Sequence, residues 1–178
     1  PVPDNYRFFR VADQWDSGNG MCHRRLFVQA GLFDQRYDRQ RRGDAEFGLR
    51  VQRGGGLVIH NPRATRVHLK AAEGGLRTFG QWDGLRSKER TGPLPVPSMR
   101  YYTATYHTPR QQREDLMLGL VNGVVPYHLK RRASPAAWLR FAAGELVHLP
   151  SLLRRVRASR RIAEEMIAAG PDIPQLER

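Results

Sequence analysis

The spacing of hydrophobic and polar residues changes along the chain, and in the first 80 residues it predicts mixed secondary structure. Short apolar runs bounded by turn-forming residues are typical of strands, whereas apolar residues that recur every three or four positions indicate helices. The two patterns alternate here, which predicts an α/β fold. The predicted strands are 20–23, 57–60 and 66–69, and the predicted helices are 24–30 and 44–53.

Residues 81–100 are polar and rich in turn-forming residues. Pro93, Pro95 and Pro97 alternate with other residues in this stretch, and proline at such a spacing favours an extended backbone. We therefore predict a poorly packed Pro-rich connector at 81–100. It separates a first domain at 1–80 from a helical, basic extension at 101–178.

The extension carries clear helix signals. Serine or threonine before proline is typical of a helix N-terminus, while glycine or an interior proline is typical of a helix end. These signals predict helices at about 109–121, 135–149 and 151–169. The start signals are Thr108-Pro109 and Ser134-Pro135, and the stop signals are Gly123, Pro150 and Gly170.

The last predicted helix, 151–169, has one apolar side and one basic side. A basic amphipathic helix can lie on an anionic membrane surface, but the same pattern suits a helix whose apolar side packs on its neighbours. The sequence supports both interpretations. The apolar side consists of Leu152, Leu153, Val156, Ala163, Met166 and Ile167, and the basic side of Arg154, Arg157 and Arg161.

The chain is strongly basic, with a formal net charge of +13 from 30 Lys and Arg against 17 Asp and Glu. Lys70, Lys88 and Lys130 are the only lysines, so nearly all of the excess is arginine. Such a surface attracts nucleic acid, anionic lipid or phosphorylated substrates, and a generic solvated surface has the same composition. The apolar stretches fall short of the roughly 20 residues that span a bilayer.

Two carboxylates open the helix predicted at 44–53. Asp44 lies near its N-terminus, where the helix dipole favours a negative charge, and this suits both a general base and an ordinary capping aspartate. Glu46 points roughly 200° away from Asp44 around the helix, and it can pair with Arg50 one turn later. His68 ends the third predicted strand with an imidazole that can bind a metal or be structural.

A series of short motifs between residues 15 and 77 resembles the acceptor-side half of family 2 glycosyltransferases. In that family a Gly-Asn strand, an Arg-Arg helix, a Gly-Phe-Asp-like turn, an acidic helix and a terminal histidine follow one another in this order. The corresponding motifs here are Gly18-Asn19, Arg24-Arg25, Gly31-Leu32-Phe33-Asp34, Gly43-Asp44-Ala45-Glu46-Phe47 and His68.

The resemblance implies the C-terminal part of a Rossmann-like glycosyltransferase domain of GT-A type, followed by a helical extension. It implies inverting transfer of a sugar from a nucleotide-sugar donor to a saccharide or lipid-linked acceptor, in the synthesis of cell-surface polysaccharide or glycoconjugates. Asp44 corresponds to the catalytic base, with Glu46 as its rival. His68 corresponds to the position beside a Mn²⁺ or Mg²⁺ ion.

The resemblance and the residue chemistry together predict a substrate cleft. Trp15 offers an apolar face for a sugar ring, and the Gly18-Asn19 pair suits a tight turn. Lys70 and Arg77 would contact phosphate groups. Trp15 can equally belong to the core, and the two cations can be solvated surface charges. The predicted substrate-binding residues are Trp15, Asp16, Gly18, Asn19, Lys70 and Arg77.

Two features depart from the family pattern. Gly43 stands where the family has glutamate and Glu46 where it has aspartate, so the choice of base between Asp44 and Glu46 stays open. The chain also opens at Pro1 and contains no Asp-x-Asp motif. We expect an upstream segment to supply the nucleotide-binding strands and the other metal ligands, and we expect this chain alone to be inactive.

Two other classes of function are compatible with the composition. A nucleic-acid-binding module would use the arginines on phosphates, but no zinc or RNA-binding motif accompanies them, so we rank nucleic acid low as a partner. A non-catalytic scaffold or membrane adaptor would depend on 151–169. Cys22, the single cysteine, suits a small buried residue better than a nucleophile paired with His23. We expect a cytoplasmic protein, peripheral at the inner face of the membrane if the last helix binds lipid.

Overall fold

A computed structural model describes residues 7–12, 14–65, 92–125, 129 and 134–177. The chain divides into two compact units. The first unit consists of Pro1–Gly75 with Pro171–Arg178, and the helical unit consists of Leu76–Gly170. In the described ranges the strands are β1 (Arg10–Val11) and β2 (Ile59–His60), and the 3-10 turns are Ser17–Asn19 and Gln35–Tyr37. The helices are α1 (Arg24–Ala30), α2 (Gly43–Arg53), α3 (Pro97–Tyr106), α4 (Pro109–Val124) and α5 (Pro135–Ala169).

The strands of the first unit do not form the predicted sheet. β1 and β2 pair antiparallel, with Arg10 opposite His60 and Val11 opposite Ile59. No parallel strands occur in the described part of the chain. A Rossmann-like domain needs several parallel strands joined by helices, so the prediction of an α/β domain of GT-A type is wrong.

The segment predicted as a strand at 20–23 shows why the prediction failed. It forms no strand, and Met21 is 98% exposed, so no described neighbour covers it. The His23 ring nitrogen Nδ1 instead accepts a hydrogen bond from the Arg25 backbone N–H at 3.2 Å and caps α1. The segment 57–60 pairs only over Ile59–His60, and the strand predicted at 66–69 lies outside the described residues.

Four aromatic side chains form a packed cluster around the buried Phe47 in the first unit. Trp15, Phe27, Phe33 and Phe47 contact one another with ring centroids 5.0 to 6.5 Å apart. Burial of one such ring contributes about 1.5–3 kcal/mol, and favourable ring geometry adds to it. This cluster holds α1 against α2, and both predicted helices, 24–30 and 44–53, are confirmed, with α2 starting one residue earlier.

The segment 171–177 follows α5 in sequence but packs on the first unit. The Leu32 N–H donates to the Pro174 carbonyl at 2.9 Å, and the Gln35 N–H donates to the Asp172 carbonyl at 2.8 Å. The Asp172 N–H in turn donates to the buried Asp34 carboxylate at 3.0 Å. The backbone of 171–177 therefore completes the hydrogen bonding of the turn that follows α1.

The helical unit has its core between α3 and α5. Ser98 and Ser159 are completely buried, and Ala163 and Met166 are buried beside them. The Ser159 hydroxyl donates to the Pro95 carbonyl. Part of the apolar side predicted for 151–169 is therefore used for packing within the helical unit.

Residues 92–98 differ from the poorly packed connector predicted at 81–100. Leu94 and Val96 are buried, and the Leu94 N–H donates to the Arg155 carbonyl at 3.3 Å. Pro97 is the first residue of α3, a position where its missing N–H breaks no helical hydrogen bond. The alternating prolines therefore lead into a helix rather than extend a linker.

The predicted helix starts at Pro109 and Pro135 are confirmed, but two predicted stops are wrong, and the helices predicted at 135–149 and 151–169 form one helix. Thr108 forms a capping box at the start of α4, and Ser134 caps α5. α4 runs past Gly123 to Val124, and the Leu94 side chain packs against the helix where Gly123 has no side chain. α5 continues through Pro150.

The continuation of α5 through Pro150 has a physical reason. Proline in a helix interior frees the carbonyl four residues earlier, and here that residue is Leu146. Its side chain is 71% exposed, so this side of the helix is open to water. Gly170 ends α5 with a positive φ of 69°, as predicted for a stop signal. No helix of the described residues is both long and apolar enough to cross a membrane.

Candidate functional site

The N-terminal turn of α2 carries both predicted carboxylates, and the structure gives them different environments. Glu46 is 1% exposed, and its carboxylate accepts hydrogen bonds from the Arg50 Nε at 2.6 Å and Nη2 at 3.0 Å. Arg50 also donates to the carbonyls of Ala30 and Leu32. Glu46 is therefore committed to a buried ion pair that joins α2 to the end of α1.

Asp44 is half-buried and lies at the second position of α2. Its carboxylate makes no hydrogen bond or ion pair with any residue in the described ranges. The free N–H groups of a helix N-terminus favour a negative charge at this position. Asp44, unlike Glu46, can therefore accept a proton without breaking a contact to any residue in the described ranges.

The backbone that leads into α2 is strained. Arg42, the residue before the helix, has φ 80° and ψ 0°, in the left-handed region that residues other than glycine seldom adopt, and its side chain makes no capping hydrogen bond. Such a conformation costs on the order of 1–3 kcal/mol and is frequent at functional sites. The bend fixes Gly43 beside Tyr37, where an added Cβ atom would be 3.2 Å from the Tyr37 Cβ.

Trp15 packs against the same side of α2 that carries Asp44. A Cβ atom at Gly48 would lie 3.0 Å from both the backbone N and the Cβ of Trp15. Gly48 follows Asp44 by four residues, so the two positions share one side of the helix, about 6 Å apart along its axis. The structure thus places Asp44 one helical turn before the point where Trp15 packs on α2.

The other predicted substrate-binding residues follow Trp15 in an exposed turn. The Asp16 carboxylate accepts a hydrogen bond from the Gly18 N–H at 2.9 Å and caps the 3-10 turn. The Asn19 side-chain amide donates to the Ala64 carbonyl at 3.1 Å. The turn is therefore tied to the segment after β2, and Asp16 and Asn19 each have a structural contact besides any contact with substrate.

The remaining predicted site residues, His68, Lys70 and Arg77, lie outside the described residues. In the ranges that the structure covers, no three His, Cys, Asp or Glu side chains form a group that could hold a metal. The described residues alone do not fit a Mn²⁺ or Mg²⁺ site. We therefore derive no catalytic step through a metal.

Cys22 and His23 do not form a nucleophilic pair. Partial burial raises the pKa of the Cys22 thiol above its ordinary value, which disfavours the reactive thiolate. The His23 ring nitrogen Nδ1 is occupied as the cap of α1. Both observations agree with a structural role for Cys22.

Arg50 is the residue whose importance the sequence understated. The spacing predicted that Arg50 can pair with Glu46, but it did not indicate that both side chains are largely buried. The guanidinium also lies over the Phe47 ring, with Cζ 5.5 Å from the ring centroid. The sequence spacing could have indicated this contact, because Arg50 follows Phe47 by three positions and therefore lies on the same side of the helix.

Comparisons with known proteins add no family to these observations. No protein-family model matches the chain, and neither the curated proteins nor the solved structures give a match.

Proposed function

We propose that this chain contributes the acceptor-binding part of an inverting glycosyltransferase, with Asp44 as the general base. The observation that carries the proposal is the contrast between the two carboxylates of α2. Asp44 has no partner among the described residues and lies on the side of α2 where Trp15 packs against Gly48, whereas Glu46 is held by Arg50. The described ranges contain no parallel sheet, so the fold does not support this function. The support comes from the chemistry of the site.

In this reaction the acceptor hydroxyl attacks the anomeric carbon of a nucleotide sugar. A bond forms between the acceptor oxygen and that carbon, the bond from the carbon to the diphosphate breaks, and the configuration inverts. Asp44 takes the hydroxyl proton as the new bond forms. The exposed turn 16–19 would orient the saccharide or lipid-linked acceptor, and Lys70 and Arg77 would contact the phosphates of the donor.

The test measures nucleotide release from a panel of nucleotide sugars by the complete gene product. The assay contains Mn²⁺ or Mg²⁺, because an ion near His68 belongs to the proposal. General base catalysis contributes about 10²–10⁴-fold to a rate, so Asp44→Asn should lower release by that factor while donor binding is kept. Asp38→Asn is the matched control, because Asp38 is an exposed carboxylate of the same unit. Its release rate should equal that of the wild type.

Two results would contradict this function. One is a complete gene product that releases no nucleotide from any donor. The other is an Asp44→Asn variant with wild-type release. We expect the chain alone to lack turnover, so the isolated chain serves only for binding measurements.

A second candidate function, attachment to an anionic membrane surface, rests on the first half of α5. Leu139 and Leu146 are 73% and 71% exposed, and Leu149 and Leu153 are exposed on the same side. The charged residues between 135 and 158 are four arginines and Glu145. Apolar side chains among positive charges suit anionic lipid, whereas the like charges oppose pairing of two copies. The protein would then lie at the inner face of the membrane.

The lipid contact proposed here lies mainly in the turns before 151–169, the segment for which the sequence predicted it. Ala163 and Met166 in 151–169 are buried and cannot contact lipid. Flotation with phosphatidylserine vesicles tests the proposed contact. Leu139→Gln combined with Leu146→Gln should abolish flotation, while Ala136→Gln, at an exposed residue of the same helix, should leave it unchanged. Equal flotation of all three proteins would refute this membrane contact.

A further inference from the structure

The helical unit contains a cleft of about 460 Å³ lined by residues of α3, α4 and α5. This volume lies within the range of roughly 300–1,000 Å³ that is usual for sites of small ligands. One arginine from each helix lines the cleft: Arg100 from α3, Arg113 from α4 and Arg160 from α5. Apolar side chains, among them Met99 and Leu116, form much of the remaining wall.

The acidic side chains of the cleft neutralise only one of these three arginines. The Arg160 Nε donates to the Glu164 carboxylate at 2.7 Å, and the Asp115 carboxylate lies 3.3 Å from the His107 Nδ1. Arg100 and Arg113 have no carboxylate within ion-pair distance among the described residues. Two of the three positive charges therefore lack a counter-charge of their own.

Arg100 is the most informative of the three. Its Nε is buried and makes no hydrogen bond to any described residue, although most buried polar groups in proteins have a partner. Burial lowers the pKa of Arg100, the positive charge of Arg160 lowers it further, and Glu164 acts in the opposite direction. A bound anion would supply both the missing acceptor and the missing negative charge.

We propose that this cleft binds an organic phosphate, with the phosphate at Arg100 and Arg113 and an apolar body along Met99 and Leu116. The planar guanidinium group binds two phosphate oxygens at once, which makes arginine the preferred residue for such a group. The apolar wall favours an organic phosphate over inorganic phosphate. The phosphate belongs either to a soluble metabolite or to the head group of a lipid. This site lies within the helical unit and stands independently of Asp44.

Calorimetric titration of the chain with n-hexyl phosphate tests the proposal. We expect saturable binding of n-hexyl phosphate, at least tenfold tighter than the binding of inorganic phosphate. Burial of two methylene groups strengthens binding by a factor of about ten. Arg100→Met and Arg113→Met should each weaken binding at least tenfold. Arg110→Met is the matched control, because Arg110 lies on α4, is exposed and pairs with Glu114 outside the cleft. It should bind like the wild type.

A circular dichroism spectrum and a urea midpoint for each variant separate lost binding from lost folding. Arg113 is exposed, so Arg113→Met stays informative even if Arg100→Met unfolds. Flotation with phosphatidic acid vesicles assigns the source. A lipid head group is indicated if the wild type floats better than Arg113→Met, and a soluble phosphate if the two are equal. Absence of saturable binding, or equal binding by Arg113→Met and Arg110→Met, overturns the proposal.

Discussion

Removal of the Arg50 guanidinium should destabilise the first unit far more than removal of an exposed arginine. Arg50→Met keeps an apolar stem of similar length but removes the two hydrogen bonds to Glu46. It also removes the donors to the Ala30 and Leu32 carbonyls. Because Glu46 is 1% exposed, its carboxylate would stay buried without a counter-charge.

The expected loss follows from this burial. Breaking a buried ion pair by removal of one partner costs about 3–5 kcal/mol. Glu46→Gln leaves an oxygen that can still accept from Arg50, so its cost should be smaller, about 1.5–3 kcal/mol, as for a hydrogen bond to a charged group. Glu46→Leu combined with Arg50→Met leaves no buried charge, and it should therefore cost less than Arg50→Met alone.

Urea unfolding at pH 7, followed by far-ultraviolet circular dichroism, gives the free energy of unfolding of each variant. Arg110→Met is the control, because Arg110 pairs with Glu114 at the same four-residue spacing on an exposed surface. An exposed pair contributes less than about 1 kcal/mol. Equal costs for Arg50→Met and Arg110→Met would contradict this prediction. A double substitution that costs as much as Arg50→Met alone, or more, would also contradict it.

Three further predictions use other contacts of the described residues. Thr108→Ala removes the capping box of α4 and should lower the free energy of unfolding by about 1 kcal/mol in the same urea assay; no change would mean that the cap does not stabilise α4. Gly48→Ala places a Cβ atom 3.0 Å from the Trp15 backbone and should cost about 1–3 kcal/mol, with a change in tryptophan fluorescence that a tolerant site would not show. Because the pKa of Cys22 is raised, the thiolate forms at higher pH than in a free thiol, and the rate of alkylation should keep rising beyond the pH at which the rate for free cysteine levels off. A plateau at the same or a lower pH would contradict the burial of this thiol.

The helices of the chain were predictable where local signals and tertiary contacts agree. α1 was predicted with its observed bounds, and Thr108 and Ser134 start helices as their hydroxyl groups indicated. A local cap needs only neighbouring residues, so the sequence contains all the information for it. Asp34 is another local cap, since its side chain accepts a hydrogen bond from the Arg36 N–H at 2.9 Å.

The sheet was not predictable in this way, because a strand exists only with a partner. Residues 20–23 have a β-like composition, but no described neighbour pairs with them, and β1 at Arg10–Val11 had no strong signal of its own. Proline usually favours an extended backbone or ends a helix, and Pro97 and Pro150 were interpreted in this way. Pro97 instead begins α3, and Pro150 lies within α5 on a side that is open to water. The environments of Asp44 and Glu46 also depended on a distant contact, since the carbonyls of Ala30 and Leu32 fix Arg50.

The return of residues 171–177 to the first unit has a consequence for the order in which the chain folds during synthesis. The first unit is discontinuous, and the whole helical unit is inserted before its last segment. The ribosome adds Leu32 and Gln35 long before Asp172 and Pro174. The backbone carbonyls of Asp172 and Pro174 accept hydrogen bonds from the turn after α1, and the Asp172 N–H donates one to it. The residues of the helical unit are contiguous in sequence. This unit can therefore reach its native contacts before residues 171–177 of the first unit are synthesised.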